Sequence, residues 1–178
     1  MTKKGLSKME KQIIAKKAEE LLTKFGYDNN VDTYIDISKL AISVGFRVGE
    51  SKQLHFKEDG FISVSKDKKK LLIGVNNDRT IEEKRFIVAH ELAHYYLHYI
   101  DSNLEDAVMH REHIKGKNGD ENDADCFAAC ILMPEKSFVN QYKKLKDKKY
   151  ELSDIIDCLQ SIFKTPRESI KRRIEEVC

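Results

Sequence analysis

Apolar residues recur along this chain in two rhythms. Over 8–25 they fall at helical spacing, with Met9, Ile13, Ile14, Ala18, Leu21, Leu22 and Phe25 on one side and Gly26 as the stop. A shorter helix is predicted over 36–44, with Ile37, Leu40, Ala41 and Val44 inward and Gly45 ending it. Phe46-Arg47-Val48 then begins extended structure. The stretches 61–65 and 71–76 read as strands joined by the polar turn 66–70, and the unbroken apolar run Leu71–Val75 is the better candidate for a buried strand. Thr80-Ile81-Glu82-Glu83 reads as a capping box opening a helix that carries the apolar run 86–97. Residues 101–119 are polar, contain Gly116 and Gly119, and read as a loop or lid between the two motif helices. Another helix follows, until Pro134 stops it. The remainder, 136–178, is predicted helical. Phe138, Tyr142 and Leu145 mark one helix. Ser153 caps the next, which turns Ile155, Ile156, Leu159 and Phe163 inward. Thr165-Pro166-Arg167-Glu168 is read as a capping box with Pro at the first helical position, opening a last helix through Glu176. The expected class is α+β, in one domain: N-terminal helices over 1–48, a core over 49–135 and a helical part over 136–178.

The chemistry concentrates in His90-Glu91-Leu92-Ala93-His94, inside the apolar helix. Histidines four apart lie one turn apart on one helix face, so two imidazoles can grip one zinc ion. The glutamate after the first histidine lies beside that site and can take a proton from water activated there. The competing interpretation is a helix with two buried, merely structural histidines. Peptide-bond hydrolysis is the leading expectation.

A catalytic zinc takes three protein ligands and leaves one position open. The metzincin arrangement is excluded, because Leu97 and Ile100 occupy its Gly and third His positions. His98 does not serve either: His90 to His98 spans about 12 Å of helix axis, too far for one ion. The better candidate lies in the helix ending at Pro134, where Glu121, Ala124, Asp125 and Ala128 share one face. Glu121 would complete the ligand set, and Asp125, one turn on, would accept from the far N–H of a ligand histidine. Small residues at 124 and 128 would let the two helices approach closely. Asp123 is a rival, facing about 200° away from Glu121. An acidic first turn stabilised by the helix dipole would account for the same residues without a metal.

The segments R-F-I-V-A-H-E-L-A-H-Y-Y-L-H at 85–98 and E-N-D-A-D-C-F-A-A-C-I-L-M-P at 121–134 together resemble the ImmA/IrrE family of metallopeptidases. Tyr34–Ala41 with Val44-Gly45-Phe46 is similar to that family's opening helices. The resemblance implies a zincin-like core of the gluzincin type, with a small mixed sheet and flanking helices. It implies His90, His94 and Glu121 as zinc ligands and Glu91 as base. It also implies a helix-turn-helix repressor as the protein substrate, with an antirepressor role on a phage, a mobile element or in a stress response. Ala93 stands where the family usually has Gly, and Asp125 where it often has Asn. One strand should form the upper edge of the cleft and pair with extended substrate, though the sequence does not say which. Tyr95, Tyr96, His110 and His113 are minor candidates for oxyanion stabilisation.

Composition narrows the partners. The chain has 178 residues, with 32 Lys and Arg against 30 Asp and Glu, a net charge of +2. That balance argues against a footprint dominated by nucleic acid. No apolar run approaches the ~20 residues of a membrane span. No apolar segment follows the basic Met1–Gly5, so a cytoplasmic location is expected. Cys126, Cys130, Cys158 and Cys178 form no C-x-x-C pair and are read as free thiols. Cys126 and Cys130 lie one turn apart, and are read as small buried hydrophobes in preference to a redox or second metal pair. Lys164, Arg167, Lys171, Arg172 and Arg173 give the last helices a basic side, taken as the solvated face of a packed hairpin rather than a DNA reader. The alternative to an enzyme is a zinc-containing binding module that switches a transcription factor by contact alone.

Overall fold

The computed structural model describes residues 6–52, 59–64, 71–99 and 118–178. Helix α1 (Lys8–Lys24) starts at a full capping box, Ser7 with Glu10, and ends before Gly26, whose φ of +82° only glycine adopts without strain. Ile14, Ala18, Leu21 and Leu22 are buried as expected. Met9 and Ile13, expected inward, are 71% and 50% exposed. The helical period was read correctly but the buried stripe is narrower. Helix α2 (Ile37–Val44) is capped by Asp36 and closed by Gly45 in the left-handed region, as the pattern predicts.

Strands β1 (Phe46–Ser51), β2 (Gly60–Val64) and β3 (Leu71–Asn76) form one mixed sheet in the order β1-β3-β2. β3 is central, parallel to β1 from Phe46↔Leu71 to Ser51↔Asn76 and antiparallel to β2 with Ile62 opposite Ile73. Ile62, Ile73 and Val75 are buried. Leu72 is not, so the apolar run is covered chiefly on one face. Phe61 sits opposite Gly74, where an added Cβ would overlap its ring. The expected turn at 66–70 lies outside the described residues.

Helix α3 (Ile81–His94) opens at the predicted Thr80–Glu83 capping box and packs on the sheet. Its last turn widens into a π-helical turn, Tyr95–Tyr99. Helix α4 (Asn118–Leu132) lies against both α3 and α1, with Ala124, Phe127, Ala128, Ile131 and Leu132 fully buried. The small residues at 124 and 128 occupy the close approach that the sequence anticipates. Pro134 ends this segment and begins α5 (Glu135–Asp147). The last two helices are α6 (Leu152–Phe163) and α7 (Arg167–Val177).

Two capping expectations fail. Glu151 stands at the N-cap of α6, which places Ser153 inside its first turn. Helix α7 has no side-chain cap: Pro166 is its N-cap residue, and the buried Thr165 hydroxyl has no hydrogen-bond partner among the described residues. The hydroxyl has been drawn into the core, away from the amides it could have capped.

Two arginines tie the elements together. Arg85 of α3 donates from Nε to the Lys164 carbonyl at 2.9 Å and from Nη2 to the Ile35 carbonyl at 2.8 Å, and lies over the Tyr34 ring. Arg173 of α7 donates from Nε to the Met133 carbonyl at 3.2 Å. Together they fasten the N- and C-terminal helices to the helix pair that carries the site.

Candidate metal centre

His90 and His94 sit one turn apart near the end of α3, with their Nε2 atoms 3.0 Å from each other. Glu121, in the first turn of α4, brings Oε2 to 3.3 Å from His90 Nε2 and Oε1 to 3.5 Å from His94 Nε2. These three residues are the one His/Cys/Asp/Glu group among the described residues that could hold a metal through three or more side chains. A tetrahedral zinc with bonds of 2.0–2.1 Å has ligand–ligand edges of about 3.3 Å. The observed separations bracket that value, although the two edges to Glu121 use different carboxylate oxygens. The donor set of two imidazoles and a carboxylate also suits zinc.

Asp125 lies one turn beyond Glu121 and accepts the His90 Nδ1–H at 3.0 Å. That bond selects the tautomer leaving Nε2 free toward the centre. His94 is almost wholly buried, and its Nδ1 has no hydrogen-bond partner among the described residues. Burial opposes a charge on His90, but the carboxylates of Asp125, Glu121 and Glu91 outweigh it and raise its pKa to about 10. Burial, then the neighbouring His90, pushes His94 down to about 4. The hydrogen bond from His90 lowers Glu121. In the absence of a metal, the centre thus holds one proton where two facing nitrogen lone pairs call for a cation.

Glu91 is 8% exposed and lies beside the start of β2: a Cβ at Gly60 would stand 3.5 Å from its Oε1 and would overlap Ile87. Gly60 therefore allows the strand to close onto α3 next to that carboxylate. The sequence reading missed it, since nothing local separates this glycine from an ordinary turn residue. Strand β2 is also the sheet edge nearest Glu91.

The other candidates fall elsewhere. Asp123 is outside the ligand group, and burial raises its pKa. His98 lies beyond His94, its ring centroid 5.8 Å away, and is likewise outside the group. Tyr95 packs edge-on to Phe46, and Tyr96 stacks on Phe127. His110 and His113 lie outside the described residues.

An H-E-x-x-H helix facing a carboxylate from a second helix, beside a small mixed sheet, is an arrangement of the metallopeptidase type. The chain belongs to the Peptidase_M78 family, described as the IrrE N-terminal-like domain, which matches residues 38–175. No curated protein gives a significant match. Among solved structures the fold is similar to that of a Mycobacterium tuberculosis transcriptional regulator, at 18% identity and a TM-score of 0.59. The similarity covers 89% of this chain and 45% of the regulator, so the chain spans less than half of that protein's length.

Proposed function

We propose that this chain is a zinc-dependent endopeptidase, with His90, His94 and Glu121 as the zinc ligands, Glu91 as the general base and Asp125 as the residue that positions His90. The supporting observation is the convergence of two Nε2 atoms and the Glu121 carboxylate at tetrahedral spacing, beside the buried Glu91. Zinc held there supplies a Lewis acid that polarises a carbonyl and acidifies water. Glu91 takes the proton of the attacking water and hands it to the departing amine. The β2 edge offers main-chain groups to an extended substrate segment, in the β-addition mode. The substrate is a helix-turn-helix repressor and the setting is cytoplasmic, with residues 1–178 acting as one domain.

The test uses the full chain and a candidate repressor. Wild type and Glu91→Gln should each hold one zinc, and only the wild type should cut. Substantial cutting by Glu91→Gln would remove Glu91 from its role.

A second reading gains support from the neighbour's description as a transcriptional regulator. In that reading the chain switches a transcription factor by contact. Glu91→Gln would then relieve repression as well as wild type, with the repressor left intact.

A further inference from the structure

The face of α4 turned away from the zinc-type centre carries Cys126 and Cys130. At 100° per residue they lie about 140° and 180° around the helix from Glu121. The two thiols stand one helical turn apart and influence each other's ionisation, and Arg173 favours the Cys130 thiolate. Arg173 is 5% exposed. Its Nη1 is 3.6 Å from Glu176 Oε2, and Glu176 also takes Lys11 Nζ at 2.6 Å. Two cavities flank this arginine. One, of about 200 Å³, is lined by Cys126, Lys11, Arg173 and Glu176; the other, of about 300 Å³, is lined by Cys130, Leu22, Pro134 and Arg173. Cys126 is half-buried, which gives the pair an approach from solvent.

We propose that Cys126 and Cys130 form a second metal site, taking a soft monovalent cation of the copper(I) class between two thiolates. Helix spacing sets the choice. Side chains one turn apart have Cβ atoms about 5–6 Å from each other. A disulfide requires about 3.5–4.5 Å, so joining these two would mean unwinding α4. Two metal–thiolate bonds of about 2.3 Å each span the wider gap. Soft thiolates suit copper(I), zinc and iron–sulfur clusters, and of these only copper(I) is content with two ligands. Zinc would need further ligands, and no group of three or more metal-binding side chains includes these cysteines among the described residues.

Charge agrees with this choice. Lys11 and Arg173 face a single carboxylate, Glu176, which leaves one positive charge beside the sulfurs. A two-thiolate complex of a monovalent cation carries one negative charge. Asp125 and Arg172 also line the first cavity, but Asp125 is held by His90 and Arg172 is exposed. The neighbouring Cys126 thiol, opposed by burial and helped by Arg173, lowers the Cys130 pKa and so favours its thiolate. On binding, the Cys130 thiolate donates to the cation directly and the Cys126 thiol exchanges its proton for a bond to it. Any sulfur still protonated releases that proton, and the cation keeps its oxidation state.

The experiment titrates the zinc-loaded full chain with copper(I) under anaerobic conditions, buffered by a competing chelator, and reads copper and zinc per chain. One copper should bind with zinc unchanged. Cys126→Ser and Cys130→Ser should each abolish that binding, and Cys158→Ser and Cys178→Ser should retain it. Alkylation mapping of the wild-type chain gives a readout that does not depend on any variant folding: copper should shield Cys126 and Cys130 and leave Cys178 reactive. Unshielded Cys126, copper retained by both cysteine variants, or copper gained only at the expense of zinc would each overturn the proposal. Copper and zinc are read separately, so the soft site can fail without affecting the reading of the His90 centre, and the reverse.

Discussion

The α3–α4 pair and the α6–α7 pair are both dense in ionisable side chains, yet they treat charge in opposite ways. On α6–α7, Arg167 pairs with Asp157, Lys171 with Glu168 at 2.6 Å, and Arg173 is buried against a carbonyl and Glu176. Lys164 and Arg172 remain as exposed residues. At α3–α4, packing instead forces two imidazole nitrogens to 3.0 Å and sets both against one carboxylate. The first pair meets most of its charges with carboxylates nearby; the second gathers two imidazoles and a carboxylate around one point that suits a cation. Ionisable residues that the fold fails to match locally are the ones to suspect of chemistry.

The widest separation between the two regions should appear in activity. His94→Ala should remove the ion and all cleavage. Glu91→Gln should keep the ion and lower turnover by about 10²–10⁴-fold, the usual worth of a general base. Asp125→Ala should act through His90, weakening zinc by about 10–100-fold without abolishing it. Competition against a zinc chelator checks this, and an unchanged affinity would make Asp125 a bystander.

Much of this contrast was legible in the sequence, and the gaps have physical causes. Helix α3 and its histidines could be read because spacing and capping are local properties. Glu121 and Asp125 share a face of α4 by the same periodicity. Arg85 was missed because its acceptors, the carbonyls of Ile35 and Lys164, lie far away in sequence, and a carbonyl has no residue-type signature. Gly60 was missed for the same reason, since only its approach to Ile87 and Glu91 makes it distinctive. Met9 and Ile13 fit the helical period of α1, but periodicity does not fix how wide a stripe the neighbours cover. Arg85→Ala should accordingly cost about 1–3 kcal/mol, the price of leaving buried carbonyls unpaired. Denaturant unfolding measures this, and the zinc stoichiometry should stay at the wild-type value.

Proton linkage gives a finer test of the unsettled centre. His90 is raised to about 10 and His94 lowered to about 4, so between those values the metal-free pair keeps one proton. Zinc binding at pH 8 should release about one proton, measurable by calorimetry in buffers of different ionisation enthalpy. The same shifts act on folding. His90 binds its proton more tightly in the native state, so its contribution is full below about pH 6.5 and is lost as pH rises toward 10. His94 refuses a proton that the unfolded chain accepts, so stability also falls from about pH 6.5 down toward 4. Metal-free protein should therefore be most stable near pH 6.5 with respect to these two groups, and the double variant His90→Ala, His94→Ala should lose that maximum.

The smallest effects are expected on α6–α7. Arg167 and Lys171 make partly exposed pairs, and such pairs contribute about 0–1 kcal/mol. Replacing both with Gln should leave zinc content and cleavage at wild-type levels and shift the melting temperature only slightly. The same variant tests the basic face as a DNA reader. A duplex-binding surface would give affinity that falls steeply with salt and weakens when these cations are removed. Because Asp157 and Glu168 already take up both charges, little counterion release is available, and duplex binding should be weak in wild type and variant alike. Salt-dependent binding lost in the variant would show that this pair, too, holds charge in reserve for a partner.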